Sequence, residues 1–301
     1  MPELPEVETT TRGLRKELVG CKILDVWTDL NTKDKRKVDT ISNPSYFPFF
    51  KKEIKNNKIL SVERRAKNIL INLSGSKTIL IHLKMTGHLL YGKYKFIKNE
   101  NKWIVNEKGP LNDPYNRFVH VVFTLSNKKF LVFSDARKFG KITIFETNTT
   151  NNRHLNNLGP EPLDKKFTYA KFKKRIKRKL KSKAKNVLMD QSILVGIGNI
   201  YSDEILWHSN VKPDRKIFSL TEKELKLIYN STKKLLNKGI DFGGDSMSDY
   251  RNIYGLPGKF QMHHMAYRRT NERCKKKGCN GVIIRKIINN RSAHYCSQHQ
   301  I

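Results

Sequence analysis

Pro2-Glu3-Leu4-Pro5-Glu6-Val7-Glu8-Thr9, directly behind Met1, is the stretch on which the reading of this chain turns. A second residue as small as Pro2 permits removal of Met1, which leaves a secondary amine as the new N-terminus. A free α-amino group titrates about two units below lysine, so it loses its proton and becomes nucleophilic more readily than a lysine does. Glu3 sets a carboxylic acid one residue away, so a nucleophile toward a sugar aldehyde carbon and an acid stand side by side. Pro5 suits a first helical turn, acids follow it, and Val7, Leu14 and Leu18 fall on one face, which predicts a helix over 5–19. The amine then lies at or just before the positive end of a helix, where its protonation is disfavoured.

Beyond this helix the pattern turns to strands, at Ile23–Thr28, Ile59–Arg64, Asn68–Leu73, Thr78–Leu83, Val119–Leu125, Lys129–Phe133 and Lys141–Phe145. Val119, Val121, Phe123 and Leu125 alternate with period two. The first half therefore reads as a β-sandwich or flattened barrel. Residues 91–116 are polar, carry Gly109-Pro110 and Asp113-Pro114, and read as a long loop or insertion. A Thr/Asn-rich linker follows, ending in Leu158-Gly159-Pro160-Glu161-Pro162, and the pattern beyond it is helical. Residues 165–185 hold twelve Lys/Arg and no acid, with Phe172, Ile176 and Leu180 at helical spacing. Residues 221–238 form another candidate helix.

The chain's 301 residues suffice for two domains, and 38% apolar with 10% aromatic residues can build real cores. No apolar run approaches the ~20 residues of a membrane helix. The acidic N-terminus lacks the apolar core of a signal peptide. No membrane partner and a cytoplasmic or nucleoid location are the expectation. Sixty Lys+Arg against 27 Asp+Glu give a net charge of +33. That field favours a polyanion, nucleic acid before an anionic membrane; lysine-rich solvated faces are the alternative.

Several motifs carry chemistry. The tail reads Cys274-x4-Cys279-x16-Cys296-x2-His299. Two close pairs around a hairpin-length segment fit a tetrahedral Zn2+ site of three thiolates and one imidazole, structural because no position is left open. Reduced thiols beside a chance histidine are the alternative, and His294 is a competing nitrogen ligand. The segment 188–207 reads as helix, glycine turn and helix, in which Gly196 and Gly198 allow close backbone approach and Asn199 could cap the second helix. Exposed amides there would bind a phosphate; a plain helix hairpin is the other reading. Arg64-Arg65-Ala66-Lys67-Asn68 sits at a strand start or turn. Asp135-Ala136-Arg137-Lys138-Phe139-Gly140 could push a side chain into a base stack or merely form a basic turn. His82, His88, His120, His263 and His264 show no motif spacing and read as structural or solvated.

Together these pieces resemble the formamidopyrimidine-DNA glycosylase / endonuclease VIII family of base-excision repair enzymes. The landmarks run in family order along nearly the whole chain: Pro2 to Thr9, Arg65-Ala66-Lys67, His82-Leu83-Lys84-Met85-Thr86-Gly87, Asp135 to Gly140, Leu158 to Pro162, Gly196 to Tyr201, and a C-terminal finger with Arg291 before Tyr295-Cys296. The resemblance implies an α+β protein of two domains. An N-terminal β-sandwich with an N-terminal helix (1–148) and a linker (149–162) would precede a helix-two-turn-helix domain (163–265) and a zinc-finger β-hairpin (266–301). Its partner would be double-stranded DNA containing damaged bases, bound by a monomer that flips the damaged nucleotide out of the stack.

The same resemblance makes Pro2 the Schiff-base nucleophile and Glu3 the acid that protonates the sugar ring oxygen; for that chemistry the amine must be neutral and Glu3 able to donate, so burial is expected to raise its carboxyl. Lys67 is the proton-transfer lysine of β-elimination, and Arg291 a phosphate grip linked to δ-elimination. Asn199 is a second grip and Lys185 a DNA-backbone contact. Met85, Arg137 and Phe139 fill the vacated stack, and Lys138 stands where an arginine is usual. The triad favours the formamidopyrimidine branch and excision of 8-oxoguanine and formamidopyrimidines. Oxidised pyrimidines or abasic sites are the alternative substrate, and a non-catalytic zinc-finger DNA binder the alternative function. The lesion-capping loop would fall between 243 and 260. The Cys274, Cys279, Cys296, His299 set departs from the usual four cysteines, and residues 91–116 exceed a compact member.

Overall fold

Alternating apolar positions become two antiparallel sheets. The structure is a computed structural model that describes residues 1–147, 152, 155–247 and 249–301. The expected domain limit at 148 and part of the expected linker lie outside the described residues, as does Ser248 in the expected capping loop. The chain divides into two compact units: Met1–Pro2, Glu6–Asn156 and Gly243–Lys259 in the first, and Glu3–Pro5, Asn157–Phe242 and Phe260–Ile301 in the second.

In the first unit, α1 (Leu4–Leu18, from Glu6 onward) precedes β1 (Ile23–Thr28), α2 (Phe47–Ile54), β2 (Ile59–Arg65), β3 (Asn68–Leu73), β4 (Lys77–His82), β5 (His88–Gly92), β6 (Tyr94–Ile97), β7 (Lys102–Val105), β8 (Val119–Leu125), β9 (Phe130–Ser134) and β10 (Lys141–Glu146). One sheet has the order β1-β8-β9-β5 and the other β10-β4-β3-β2. Their apolar faces share a single core. Val26, Leu89, Val121, Phe123 and Phe133 from one sheet join Val62, Ile69, Ile71, Ile79 and Ile81 from the other, with Val7, Leu14 and Leu18 of α1. This is the expected β-sandwich.

The 91–116 stretch is not the irregular loop expected. It forms the β6–β7 hairpin and three short 3-10 turns, one of them in the hairpin loop. Phe96 and Trp103 pair across the hairpin, and their rings meet Trp27 at 5.9 and 6.5 Å. Leu90, Tyr94, Leu111, Val122 and Val132 complete a second small core there. Four-residue strands separated by Lys-Asn-Glu-Asn show too little periodicity to be seen beforehand.

The second unit holds α3 (Tyr169–Ile176), α4 (Ala184–Met189), α5 (Asn199–His208), α6 (Glu222–Asp241) and a hairpin of β11 (Ile283–Ile288) and β12 (Arg291–Cys296). The basic run over 165–185 is not one helix. α3 ends at Ile176, a 3-10 turn covers Lys177–Lys179, and Leu180 is 45% exposed. Helix α6 begins with a reciprocal capping box between Thr221 and Glu224 and buries Leu225, Ile228, Leu235, Leu236 and Ile240. Fully buried Glu204 of α5 accepts the N–H groups of Met265, Ala266 and Tyr267 at 2.8–2.9 Å, which seats that segment against the helix.

Candidate functional site

In the first unit, two turns converge on one groove of about 600 Å³. Its lining includes Met1, Lys84, Met85, Arg137, Lys138 and Phe139. Met85 and Phe139 are 41% and 46% exposed, and because both line this one groove they form a shared apolar patch rather than scattered surface residues. The Arg137 guanidinium lies over the Phe139 ring, 4.6 Å from its centroid. Asp135 explains the geometry. Fully buried, it accepts the N–H groups of Gly140 at 2.7 Å and Arg137 at 3.3 Å, together with the Thr86 hydroxyl. Thr86 Oγ1 in turn accepts the Arg137 N–H at 3.1 Å, so the Met85 turn and the Arg137–Phe139 turn are one rigid device. The Lys37 ammonium donates to the Lys138 carbonyl at 2.7 Å. Pro2 is buried beside the exposed Met1.

Lys67 follows Ala66, whose φ of +57° makes the tight β2–β3 turn, and is itself only 6% exposed. Arg64 braces that turn by donating to the Ala66 carbonyl at 3.0 Å and pairing with Glu8 at 2.8 Å. Burial pushes the Glu8 carboxyl up, but the guanidinium groups of Arg64 and Arg12 overcome this and hold it below the usual carboxylate range. His82 is not a bystander. The register sets it opposite Asn68 on one side and Lys141 on the other. Burial, then the charges of Lys84, Lys67 and Lys141, push its imidazole down to about 3. Its Nδ1 accepts the Lys84 N–H at 3.0 Å, so the proton of the neutral ring is on Nε2.

Glu3 belongs to the second unit and is 2% exposed. Its carboxylate accepts the N–H groups of Gly198 at 2.5 Å, Ile200 at 2.8 Å and Tyr201 at 3.4 Å. Glu3, not Asn199, therefore caps α5; the cap position itself is Gly198, with no side-chain bond from its own turn. Three N–H groups and the positive helix end favour the anion, so burial alone does not set the state of this carboxyl. The glycines are required here. Leu4 donates to the Gly196 carbonyl at 2.9 Å, Gly196 has φ +90°, and a Cβ on Gly198 would stand 2.6 Å from the Glu3 carboxyl carbon.

Asn199 is half-buried, and among the described residues its Oδ1 has no partner. Lys185 is wholly buried rather than presented to solvent. Its ammonium pairs with Asp203, also buried, and lies 3.5 Å from the Asn199 carbonyl. Arg291 is exposed at the tip of the β11–β12 hairpin, behind a two-residue Asn289-Asn290 turn with φ of 45° and 60°.

Cys274, Cys279, Cys296 and His299 come together with all their ligand atoms within 4.8 Å of one another, a group that could hold a metal ion. The donor set fits zinc. Cys279 and Cys296 sulfurs are 3.5 Å apart, close to the ~3.7 Å that two 2.3 Å bonds subtend at a tetrahedral centre. Gly281 and Gln298 donate N–H groups to the Cys279 and Cys296 sulfurs at 3.4 Å. His299 turns Nδ1 toward the cysteines while Nε2 stands 3.2 Å from the Trp207 carbonyl, an orienting bond typical of ligating imidazoles. His294, the competing nitrogen, is engaged by Asp203 instead.

Residues 1–142 match the family described as the formamidopyrimidine-DNA glycosylase N-terminal domain, and residues 158–251 the formamidopyrimidine-DNA glycosylase H2TH domain. A formamidopyrimidine-DNA glycosylase of Herpetosiphon aurantiacus is 36% identical to this chain, covering 98% of both. One of Bacillus subtilis is 33% identical over 100% of this chain and 99% of its own. Two solved structures of the Lactococcus lactis Fpg, one with DNA containing an abasic site and one with DNA containing N7-benzyl-Fapy-dG, are 28% identical with a TM-score of 0.81 and cover 99% of both chains.

Proposed function

Because this chain belongs to the formamidopyrimidine-DNA glycosylase family, we propose that it removes oxidised bases (8-oxoguanine and formamidopyrimidines) from duplex DNA and then cuts the strand as an AP lyase. The observation that carries the reading is the exposed wedge of Met85, Arg137 and Phe139, braced by Asp135 in the groove that Met1 also lines. An apolar pair and a guanidinium held rigid but uncovered suit the space left when a nucleotide is flipped out.

With Met1 removed, the Pro2 nitrogen attacks C1′ and the glycosidic bond breaks, its electron pair leaving on the base, which takes a proton from water. The new C–N bond leaves a proton on nitrogen. Glu3, poised as a carboxylate, takes it and delivers it to the sugar ring oxygen, so that the ring opens and the iminium forms. The iminium acidifies the C2′ proton. Lys67 removes that proton and the C3′–O bond breaks, the electron pair leaving on the phosphate; in the second elimination water takes the C4′ proton and the C5′–O bond breaks while Arg291 holds the departing phosphate, and water then hydrolyses the iminium. Asn199, Arg291 and Lys138 hold phosphates. Cys274, Cys279, Cys296 and His299 hold one structural Zn2+, which supplies no chemistry beyond fixing the finger that bears Arg291. The protein works as a monomer in the cytoplasm or nucleoid, with a sandwich domain up to about residue 148 and the helical and finger domains after the linker.

Borohydride reduction with a duplex bearing 8-oxoguanine opposite cytosine is the test. A covalent adduct on a chain beginning at Pro2 is expected, and Pro2→Gly retains DNA binding while excision slows. Excision at the parent rate in Pro2→Gly, or a mature chain that keeps Met1, defeats the assignment and leaves a DNA-binding protein without lyase chemistry.

A further inference from the structure

We propose that Asp203 is a positioning residue for strand scission, tying the finger strand β12 to helix α5, and that Lys185 serves the site through Asp203 rather than by touching DNA. This rests on the reading that Arg291 acts in the second elimination. Asp203 lies one turn beyond Asn199 on α5, and its side chain and that of Lys185 are both 0% exposed. One carboxylate oxygen takes the Lys185 ammonium. The other takes the His294 backbone N–H and ring Nδ1, each at 2.9 Å. A carboxylate only accepts, so Nδ1 carries the hydrogen and both ends of the contact are fixed.

His294 stands midway along β12, between Arg291 at the exposed tip and Cys296 in the metal cluster. The strand is paired with β11 along its length, and Asp203 adds a polar tie from its middle to α5 beside the one at the cluster. Without Asp203 the pairing with β11 remains, but the carboxylate link that fixes the Arg291 end of the hairpin against α5 is lost. Lys185 completes the link, because its ammonium also faces the Asn199 carbonyl at 3.5 Å and so joins the start of α5 to the same carboxylate.

Charge pairing and positioning separate in a cycle of Lys185→Met, Asp203→Leu and the double variant. Each single variant strands a buried charge and loses stability, whereas the double variant replaces the pair by apolar side chains of similar size and regains it. We expect the zinc content and melting temperature of the double variant to return to near the parent. Its ratio of δ- to β-elimination product on an abasic duplex should stay low by roughly ten- to a hundredfold, because misplacing a reacting group by about 1 Å can cost roughly 10²-fold in rate. His294→Phe, which keeps volume but removes the ring donor, should lower the ratio in the same direction and serves if the double variant does not fold. A parent-like ratio in either folded variant overturns the proposal and leaves Asp203 as the charge partner of Lys185. Arg291→Ala separates the two levels. If it lowers the ratio while Asp203→Leu/Lys185→Met does not, only this inference fails; if Arg291→Ala leaves the ratio unchanged, the underlying reading of Arg291 fails and this proposal with it.

Discussion

Glu3 shows what one side chain can do when its neighbours are fixed. The sequence places a carboxyl next to the Pro2 amine but says nothing of the N–H groups of Gly198, Ile200 and Tyr201 that receive it, because they lie almost two hundred positions away. Glu3→Gln keeps the shape and removes the proton relay. We expect excision to fall by roughly 10²–10⁴ and DNA affinity to persist, checked by single-turnover kinetics beside a binding titration; excision within a few-fold of the parent would refute the relay. His82 gives a second residue-scale prediction. Its folded pKa of about 3 lies below the ordinary histidine value of 6.5. Its contribution to stability is complete above about 6.5 and is lost as pH falls from there toward about 3, where the unfolded chain binds the proton first. Melting temperatures measured across that window should fall, and His82→Gln should flatten the slope. Lys185 and Asp135 were legible only as residue types. A lysine in a basic run gives no sign that it alone is buried, and the bracing role of Asp135 depends on Thr86, on another turn.

Elements were easier to read than their ends or their partners. Apolar strands such as β8 and β3 stand within the limits read for them, and in β8 the alternating Val121, Phe123 and Leu125 face the sandwich core while Val122 faces the smaller one. Helix α6 was read as a helix over 221–238 and runs from Glu222 to Asp241, its start marked by the Thr221–Glu224 box. Thr221→Ala should cost about 1 kcal/mol in a urea titration, with activity unchanged in the folded protein; no change in midpoint would mean that Glu224 alone caps the helix. The sequence misled at α5, where Asn199 has the right chemistry for a cap, but the Glu3 carboxylate, just ahead of α1, receives those N–H groups instead. It misled again at β6–β7, whose apolar positions make sense against Trp27 and Phe130, which lie far off in the chain.

For the whole molecule, charge and metal lead to one more expectation. With a net charge of +33, affinity for duplex DNA should fall by about a thousandfold or more between 50 and 200 mM salt. Zinc removal by a chelator should lower affinity further at every salt concentration, read by fluorescence anisotropy beside metal analysis. Affinity indifferent to chelation in a demonstrably metal-free protein would show that the Cys274, Cys279, Cys296, His299 cluster is dispensable for binding. The two-domain α+β organisation was legible, but not which residues complete each unit. Gly243–Lys259 follow α6 in the chain yet belong with the sandwich, where Ile253 is buried in the core and its carbonyl takes the Tyr91 N–H at 2.7 Å. Glu3–Pro5 belong with the helical unit. Neither half is a self-contained stretch of chain, so cutting between them yields two incomplete fragments. During translation at roughly 5–20 residues per second, the sandwich must wait several seconds after its last strand emerges before the closing segment leaves the ribosome. A nascent chain stalled in that interval exposes unfinished core, and this is where chaperone capture and protease attack should concentrate.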